Sequence, residues 1–347
     1  MRVVYSYNKR GYEALAWGRE IRAASCERHQ FIPFNHGEFV EPIDCDDSVR
    51  LDQLYQADAP SLRKLQSALT ELLTETGANG LLVTNAPPYH PDFLRGLRVY
   101  KALYSTDDPG ATYQRTIPYL HAYDHVFHCA PGYSRDMDLG EKLRYAGAAH
   151  VDFLPLGVFD FEFDPARGEH DLFGQERDID VVYVGSFFRQ KLEVLAHLRR
   201  RLGRRLRIHG YFRLKHNLYL NVRYGFGTWI RPVSFEERVR LYQRSAIGFN
   251  VHWNRFGFGN QRLYHLPANG VLQISDCPTF HDRVFAPGEE ILGFETPERL
   301  VELIDRYLRN PDERARIAAQ AYRRTMAKYR IGDVTRAAAD LMASGAA

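Results

Sequence analysis

Two successive α/β units, each built on a parallel sheet, are what this sequence predicts. Three observations carry the prediction. Short apolar runs rich in β-branched residues alternate with helix-period segments along the chain. Polar loops fall at the ends of those runs, as they do when helices return along the faces of a parallel sheet. An acidic stretch without periodicity, residues 161–178, interrupts the alternation, which then restarts. The 347 residues suffice for two cores. The expected division is 1–160, a linker at 161–178, 179–328, and a closing helix or Ala-rich tail at 329–347.

The elements follow in order. Val3-Val4-Tyr5 opens as a strand, Gly11 lies in a loop, and residues 12–24 suit a helix. Phe31 to Phe34 reads as the second strand. Leu62, Leu65, Leu69, Leu72 and Leu73 recur near a 3.6 period, so Ser61 to Thr76 is a helix. Strands follow at Gly80 to Thr84, Arg98 to Ser105, His125 to His128 and Val151 to Pro155.

In the second half, Ile179 to Val184 is nearly all apolar, as a central parallel strand requires, and Gly185-Ser186 ends it. Leu192, Leu195, Leu198 and Leu202 line one helix face. Leu206 to Tyr211 is a strand. Ser234 with Glu237 forms a capping-box signal for a helix through Arg244. Strands follow at Ala246 to Val251, Val271 to Ser275 and Ile291 to Phe294. Thr296-Pro297 starts a helix with the stripe Leu300, Leu303, Ile304, Tyr307 and Leu308, stopped by Asn310-Pro311. A polar helix from Asp312 to about Tyr329 completes the series.

Composition excludes some classes. No apolar run approaches the ~20 residues of a spanning helix, and polar residues interrupt the opening segment after Tyr7, so no secretory core is formed. The expected location is cytoplasmic. Cys26, Cys45, Cys129 and Cys277 are widely spaced, which argues against a zinc site or a disulfide framework. A net charge of +3 favours neither a nucleic-acid partner nor its absence.

The densest chemistry lies in GFGNQRLYHLPANGVLQISD, residues 257–276. Gly257 and Gly259 permit close approach of backbone to a ligand. Asn260 stands where a helix cap would, and Arg262 offers a planar fork for phosphate oxygens. A helix start after a strand is an anion site by its N–H groups and dipole. Together these describe a seat for a diphosphate. The plainer reading, a turn with Arg262 paired to a carboxylate, stays open. The following strand carries Ser275-Asp276 to the same rim.

The second half, over about residues 179–328, resembles the nucleotide-binding domain of GT-B glycosyltransferases, and within them the group related to the spore-maturation protein CgeB. The resemblance rests on VVYVGSFFRQK, SFEERVRLYQRSAIGFNV, NQRLYHLPANGVLQISD and EEILGFETPERLVELIDRYLRNPDERARIAAQAYRR. The first half is fainter: STDDP, YDHVFHCA and VDFLPLGV. The resemblance implies a GT-B-like fold, two Rossmann-like domains with parallel sheets facing across a cleft. It implies transfer of a sugar from a nucleotide-diphosphate donor to an acceptor held mainly by the first domain, with no further cofactor. His265 stands where the family usually has a glutamate, and Gly257 where related transferases have another. A neutral imidazole accepts one hydrogen bond from a donor hydroxyl, not two.

On that reading Gly185, Ser186, Arg189, Lys191, Asn250, Gly257, Gly259, Asn260, Arg262 and His265 bind the donor. Arg189 and Lys191 would neutralise the leaving diphosphate. Either can equally be a solvated cation at a helix start. Asp107 and Asp108, with His265, are the catalytic candidates, a carboxylate serving as base toward the acceptor hydroxyl. Asp-Asp-Pro-Gly is also strong turn chemistry. His121 and His128 are lesser candidates for the base, and His252 and Asn254 weaker candidates for donor contact. Asn8 to Gly11 is placed near substrate by analogy of fold. Arg262→Ala is expected to abolish donor binding with little loss of stability.

Two features are set aside. Asp44-Cys45-Asp46 looks like a metal-binding DxD triplet, but the two-unit pattern contradicts the single-sheet class that uses it, so no metal is expected. Arg199 to Lys215 holds seven arginines and one lysine. Its leucine stripe favours a solvated helix face; an anionic lipid or nucleic-acid surface is the second reading.

Overall fold

The computed structural model describes all residues except 42–51, 54, 56, 57, 86, 131–137, 188, 211–213, 253–259, 277–281 and 347, and the side chains of residues 189, 190, 214 and 216. The chain divides into two compact units: Met1–Gly157 with Ile331–Ala347, and Val158–Arg330.

The first unit holds β1 (Arg2–Tyr7), α1 (Gly11–Ala23), β2 (Gln30–Asn35), α2 (Pro60–Thr76), β3 (Gly80–Thr84), α3 (Pro91–Gly96), β4 (Tyr100–Ser105), β5 (His125–His128), α4 (Leu139–Tyr145) and β6 (His150–Phe153). Among the described residues its six strands are parallel, in the order β2-β1-β3-β4-β5-β6. α2 shows why the sequence folds this way. Pro60 sits in its first turn, Leu62, Leu65, Leu69 and Leu73 are its buried stripe, and Gly77 closes it at φ 58°, a left-handed cap that favours glycine. That stripe packs on Val4, Leu81, Val83, Leu103 and Val126 of the sheet.

The second unit holds α5 (Glu169–Gly174), β7 (Ile179–Val184), α6 (Arg189–Leu202), β8 (Leu206–His209), α7 (Leu214–Tyr224), α8 (Phe235–Arg244), β9 (Ser245–Asn250), α9 (Arg262–Ala268), β10 (Leu272–Ser275), β11 (Leu292–Gly293), α10 (Pro297–Arg309) and α11 (Pro311–Lys328). Among the described residues its five strands are parallel and run β11-β10-β9-β7-β8. Val181, Tyr183, Ile247, Phe249, Leu272 and Ile274 meet Leu195, Leu198, Leu300 and Ile304 in its core. The cap read at Thr296 is present, and so is the serine half of the capping box read at Ser234 and Glu237; the Glu237 carboxylate takes Arg231 Nη2 at 2.9 Å. Ser234 Oγ accepts the Glu237 amide at 3.1 Å, and Thr296 Oγ1 accepts that of Arg299 at 3.2 Å.

Two stretches differ from the sequence reading. Residues 161–178, expected as a linker, belong to the body of the second unit. They carry α5 and part of a 3-10 turn, Asp160–Glu162, and Glu162 and Leu172 are buried. The closing stretch is a helix, one of the two expected alternatives, but this helix, α12 (Ile331–Ala346), returns to the first unit and packs on α1, β4 and β5. Ile331, Val334, Ala338 and Met342 are its buried face, and Asp340 reaches His29 Nε2 at 2.8 Å.

Candidate functional site

In an open parallel sheet, ligands bind beyond the carboxyl ends of the strands, where the strand order reverses. In the second unit that point lies between β7 and β9, and one side chain spans it. Arg262, at the start of α9, donates from Nε to the Val184 carbonyl at 2.8 Å and from Nη1 to Asn250 Oδ1 at 2.7 Å. Its guanidinium lies over the Tyr183 ring, 4.4 Å from the centroid. Gly185 is required beside it, because a Cβ there would collide with Nη2. The fork is therefore held by the last residues of two central strands.

Lys191, on the first turn of α6, is buried, with Nζ 3.5 Å from Ser186 Oγ. Burial pushes its pKa down to about 7, the Arg262 charge pushes the same way, and Asp276 pulls it back. Asp276 follows β10 and is held by His252, whose backbone N–H donates at 2.8 Å and whose Nδ1 lies at 2.6 Å. Asn250 Nδ2 and Ser275 Oγ are buried at the same rim with no hydrogen-bond partner among the described residues. Two cations and two spare polar atoms at the ends of three adjacent strands suit an anionic ligand.

Gly185, Ser186, Lys191, Asn250 and Arg262 are thus brought together, as the sequence reading placed them. Gly257, Gly259, Asn254, the Arg189 side chain and the Asp44-Cys45-Asp46 triplet lie outside the described residues. Asn260 precedes the helix without capping it: the cap position is Gln261, and no side chain fills the role. The helix is only seven residues long, so anion attraction rests on Arg262 and Lys191 more than on a macrodipole. The expectation for Arg262→Ala changes as well: a buried side chain whose donors join the ends of β7 and β9 should not be removed without loss of stability.

His265 points elsewhere. Its Nε2 is 2.8 Å from Glu162 Oε1, both side chains are buried, and Arg238 reaches the same carboxylate at 3.2 Å. Burial opposes ionisation of Glu162, but His265, Arg238 and the Phe159 amide together hold its pKa below the usual carboxylate range. Burial holds the His265 pKa below its ordinary value against the pull of Glu162. The ring meets this carboxylate and the backbone carbonyl takes Asn269 Nδ2 at 2.8 Å, so His265 anchors the 160s segment. Sequence reading missed Glu162.

In the first unit the two aspartates part company. Asp107 has its side chain 39% exposed, accepts from Arg115 Nη1 at 3.1 Å and from Asn85 Nδ2 at 3.1 Å. Asp108 is fully buried and accepts from the Thr112 and Thr116 hydroxyls at 2.9 and 3.0 Å. Facing inward, it is a poor candidate for a base toward an acceptor. Burial raises its pKa to about 6, offset in part by hydroxyl donors from Ser105, Thr112 and Thr116. Unfolded, it ionises near 3.8. Its contribution to stability is therefore fully present below that value and lost as pH rises through about 6, a swing of about 3 kcal/mol. Asp108→Asn should remove that component, seen as a wild-type-minus-variant difference in urea midpoint that changes between pH 4 and 6.5. A flat difference would show that folding does not raise the Asp108 pKa.

Other candidates are quickly placed. His128 is buried with Nδ1 2.9 Å from the Ala130 carbonyl, and His121 is exposed. Beyond β1, Asn35 Oδ1 accepts the amides of Lys9 and Gly37 at 3.1 and 3.2 Å, which fixes the loop from Asn8 to Gly11. A buried trio not foreseen from sequence lies nearby. Ser6 Oγ is 2.9 Å from His36 Nδ1 and 2.7 Å from Tyr89 OH, and burial lowers the His36 pKa to about 3. A neutral imidazole closed off from solvent is a packing element.

Among the described residues, no helix is long and apolar enough to cross a membrane and no group of three acidic, His or Cys side chains could hold a metal. No curated protein matches the sequence. Residues 189–340 match the family model described as "Glycosyl transferase-like". Among solved structures, the sucrose-phosphate synthase of Thermosynechococcus elongatus superposes with TM-score 0.64 at 12% identity, covering 99% of this chain and 98% of that one. A glycosyltransferase of Rickettsia africae gives 0.64 at 11% over 99% and 98%. HepE of Anabaena, solved with UDP and glucose, gives 0.62 at 11% over 99% and 100%. The chain has the two-sheet α/β fold of GT-B glycosyltransferases.

Proposed function

We propose that this chain transfers a sugar from a nucleoside-diphosphate donor to an acceptor hydroxyl, as a member of the CgeB-related group of that fold. The observation that carries the reading is the Arg262 fork with buried Lys191 at the β7–β9 reversal. The guanidinium carries five N–H groups; Val184 and Asn250 take one each and the Tyr183 and Tyr242 hydroxyls lie within its reach, so a phosphate oxygen would share the fork with the two tyrosines. Charge grows on the diphosphate as the glycosidic bond breaks, and fixed cations in a dry site stabilise it. In this proposal Lys191 and Arg262 do the work that a divalent metal does elsewhere. Gly185 and Ser186 shape the approach, and Asn250 Nδ2 and Ser275 Oγ supply further bonds. The acceptor falls to the first unit, with Asp107 as the candidate base.

HepE has been solved with UDP and with UDP-glucose, so UDP is the first probe. Burial holds the Lys191 pKa down at about 7, and a bound diphosphate would raise that value. Affinity for UDP should therefore fall as pH rises from 7 toward 9, with proton uptake on binding. Lys191→Met should bind UDP more than tenfold more weakly at pH 6.5 and lose that dependence. The variant retains the ligand's own titration, so the difference between the two proteins isolates the lysine. Calorimetric titration in buffers of different ionisation enthalpy measures both. An identical pH dependence in the variant removes Lys191 from the site, and release of UDP from UDP-sugars only when an acceptor is present tests transfer itself.

A further inference from the structure

The outward face of α7 is built the wrong way round for a water-facing helix. Lys215, Leu218, Tyr219, Val222 and Arg223 stand at i, i+3, i+4, i+7 and i+8, one row, and all are exposed. Leu218 is 62%, Tyr219 56% and Val222 80% exposed. Asn217 and Leu220 face inward and are buried. A surface helix of a water-soluble unit normally carries charge along its outer row. This one carries three apolar side chains with a cation at each end.

A fourth apolar side chain is fixed beside them. Asn217 makes both amide bonds to Ile230, at 2.9 Å each, and Asn221 makes both to Thr228, at 3.1 and 3.2 Å. The segment is pinned along the helix like an added strand. Ile230 is buried, and Trp229, between the two pinned residues, is 56% exposed. The local charge has one sign. No Asp or Glu occurs from Val194 to Phe235, which holds nine arginines and one lysine. Arg199 donates to the Phe226 carbonyl at 2.7 Å, tying the end of α6, with exposed Arg200, Arg201 and Arg204, to the turn after α7. Arg205 and Arg231 are engaged with Asp180 and Glu237 and are not counted.

We propose that α7 and the Trp229 segment form a docking surface for an anionic lipid bilayer, with Leu218, Tyr219, Val222 and Trp229 entering the headgroup boundary and Lys215, Arg223 and the arginines of α6 meeting lipid phosphates. Aliphatic anchors among cations, with an interfacial Trp and Tyr, are what such a surface needs. Charge complementarity alone would suit a nucleic acid equally, but a polynucleotide offers Leu218 and Val222 nothing to bury against, whereas a bilayer does.

The test is flotation of the full chain with phosphatidylcholine vesicles and with vesicles that also contain phosphatidylglycerol. Binding to the second kind alone, weakened by salt, is the expected result. Lys215→Gln and Arg223→Gln should each weaken it about fivefold. Leu218→Ser with Val222→Ser should weaken it tenfold or more. Melting temperature and UDP affinity should not change in these variants, since the side chains are exposed and far in sequence from the donor residues. Four outcomes overturn the proposal: no binding to anionic vesicles; binding indifferent to the aliphatic substitutions; tighter binding of a DNA duplex that uses the same cations; or a dimer in solution that dissociates in the Leu218→Ser, Val222→Ser variant.

Discussion

Replacing Arg262 by alanine should lower both stability and nucleotide affinity, the two by separable amounts. The stability loss follows from burial. Without the guanidinium, the Val184 carbonyl and Asn250 Oδ1 lose the partner that joins them, and the Tyr183 ring loses its cation. Two charge-assisted bonds and one cation–π contact put the cost at about 3 kcal/mol, or a fall in melting temperature of about 10 °C for a unit of this size. Loss of the fork facing the diphosphate should cost UDP affinity a hundredfold or more. Arg262→Lys separates the two effects. It keeps a charge near the ligand but cannot bridge Val184 and Asn250, so its melting temperature should fall nearly as far while some affinity returns. Unchanged UDP affinity in Arg262→Ala, measured where the variant is folded, would falsify the donor site. An unchanged melting temperature would show that the guanidinium does not hold the sheet edge.

Glu162→Ala should be at least as damaging to the fold, with no direct contact to the proposed ligand. The carboxylate is buried between His265 and Arg238, and it also accepts the Phe159 amide at 2.9 Å. Its backbone carbonyl takes the Asn269 amide at 2.9 Å. Removing the carboxylate leaves the partly buried Arg238 guanidinium without its counter-charge and the His265 ring and Phe159 amide without an acceptor, which costs about 3 kcal/mol. Glu162→Gln should cost less, because an amide oxygen still serves Phe159. A Glu162/His265 double-mutant cycle should return a coupling of about 1–3 kcal/mol. Additive losses in that cycle would mean that the two side chains do not act as a pair.

The local layers of this structure were legible. β7 is nearly all apolar and β8, β9 and β10 each carry buried apolar residues in short runs, and Thr296-Pro297, Ser234 and Asn310-Pro311 bound their helices through short-range chemistry. The grouping of Gly185, Lys191, Asn250 and Arg262 could be read because a parallel sheet brings the ends of its strands to one edge. The pairing of Glu162 with His265 could not. Their separation of 103 positions leaves no local trace, and the acidic, Pro- and Gly-bearing 160s looked like a linker. Asp108 was misjudged for a different reason. Its partners Thr112 and Thr116 follow at four-residue steps, a spacing that was visible and that marks a carboxylate turned toward its own downstream turns.

The return of α12 has a consequence for biosynthesis. Met342, at 0% exposure, and Val334 and Ala338 seal a face of the first unit whose other walls are made by residues before position 129. A ribosome emits the amino-terminal walls first and their lid last, after the whole of the second unit. The first unit therefore cannot close before the second has been synthesised. Stop codons placed just before Ile331 should yield a protein whose later-synthesised half is intact and whose earlier half exposes an apolar seam to chaperones and proteases.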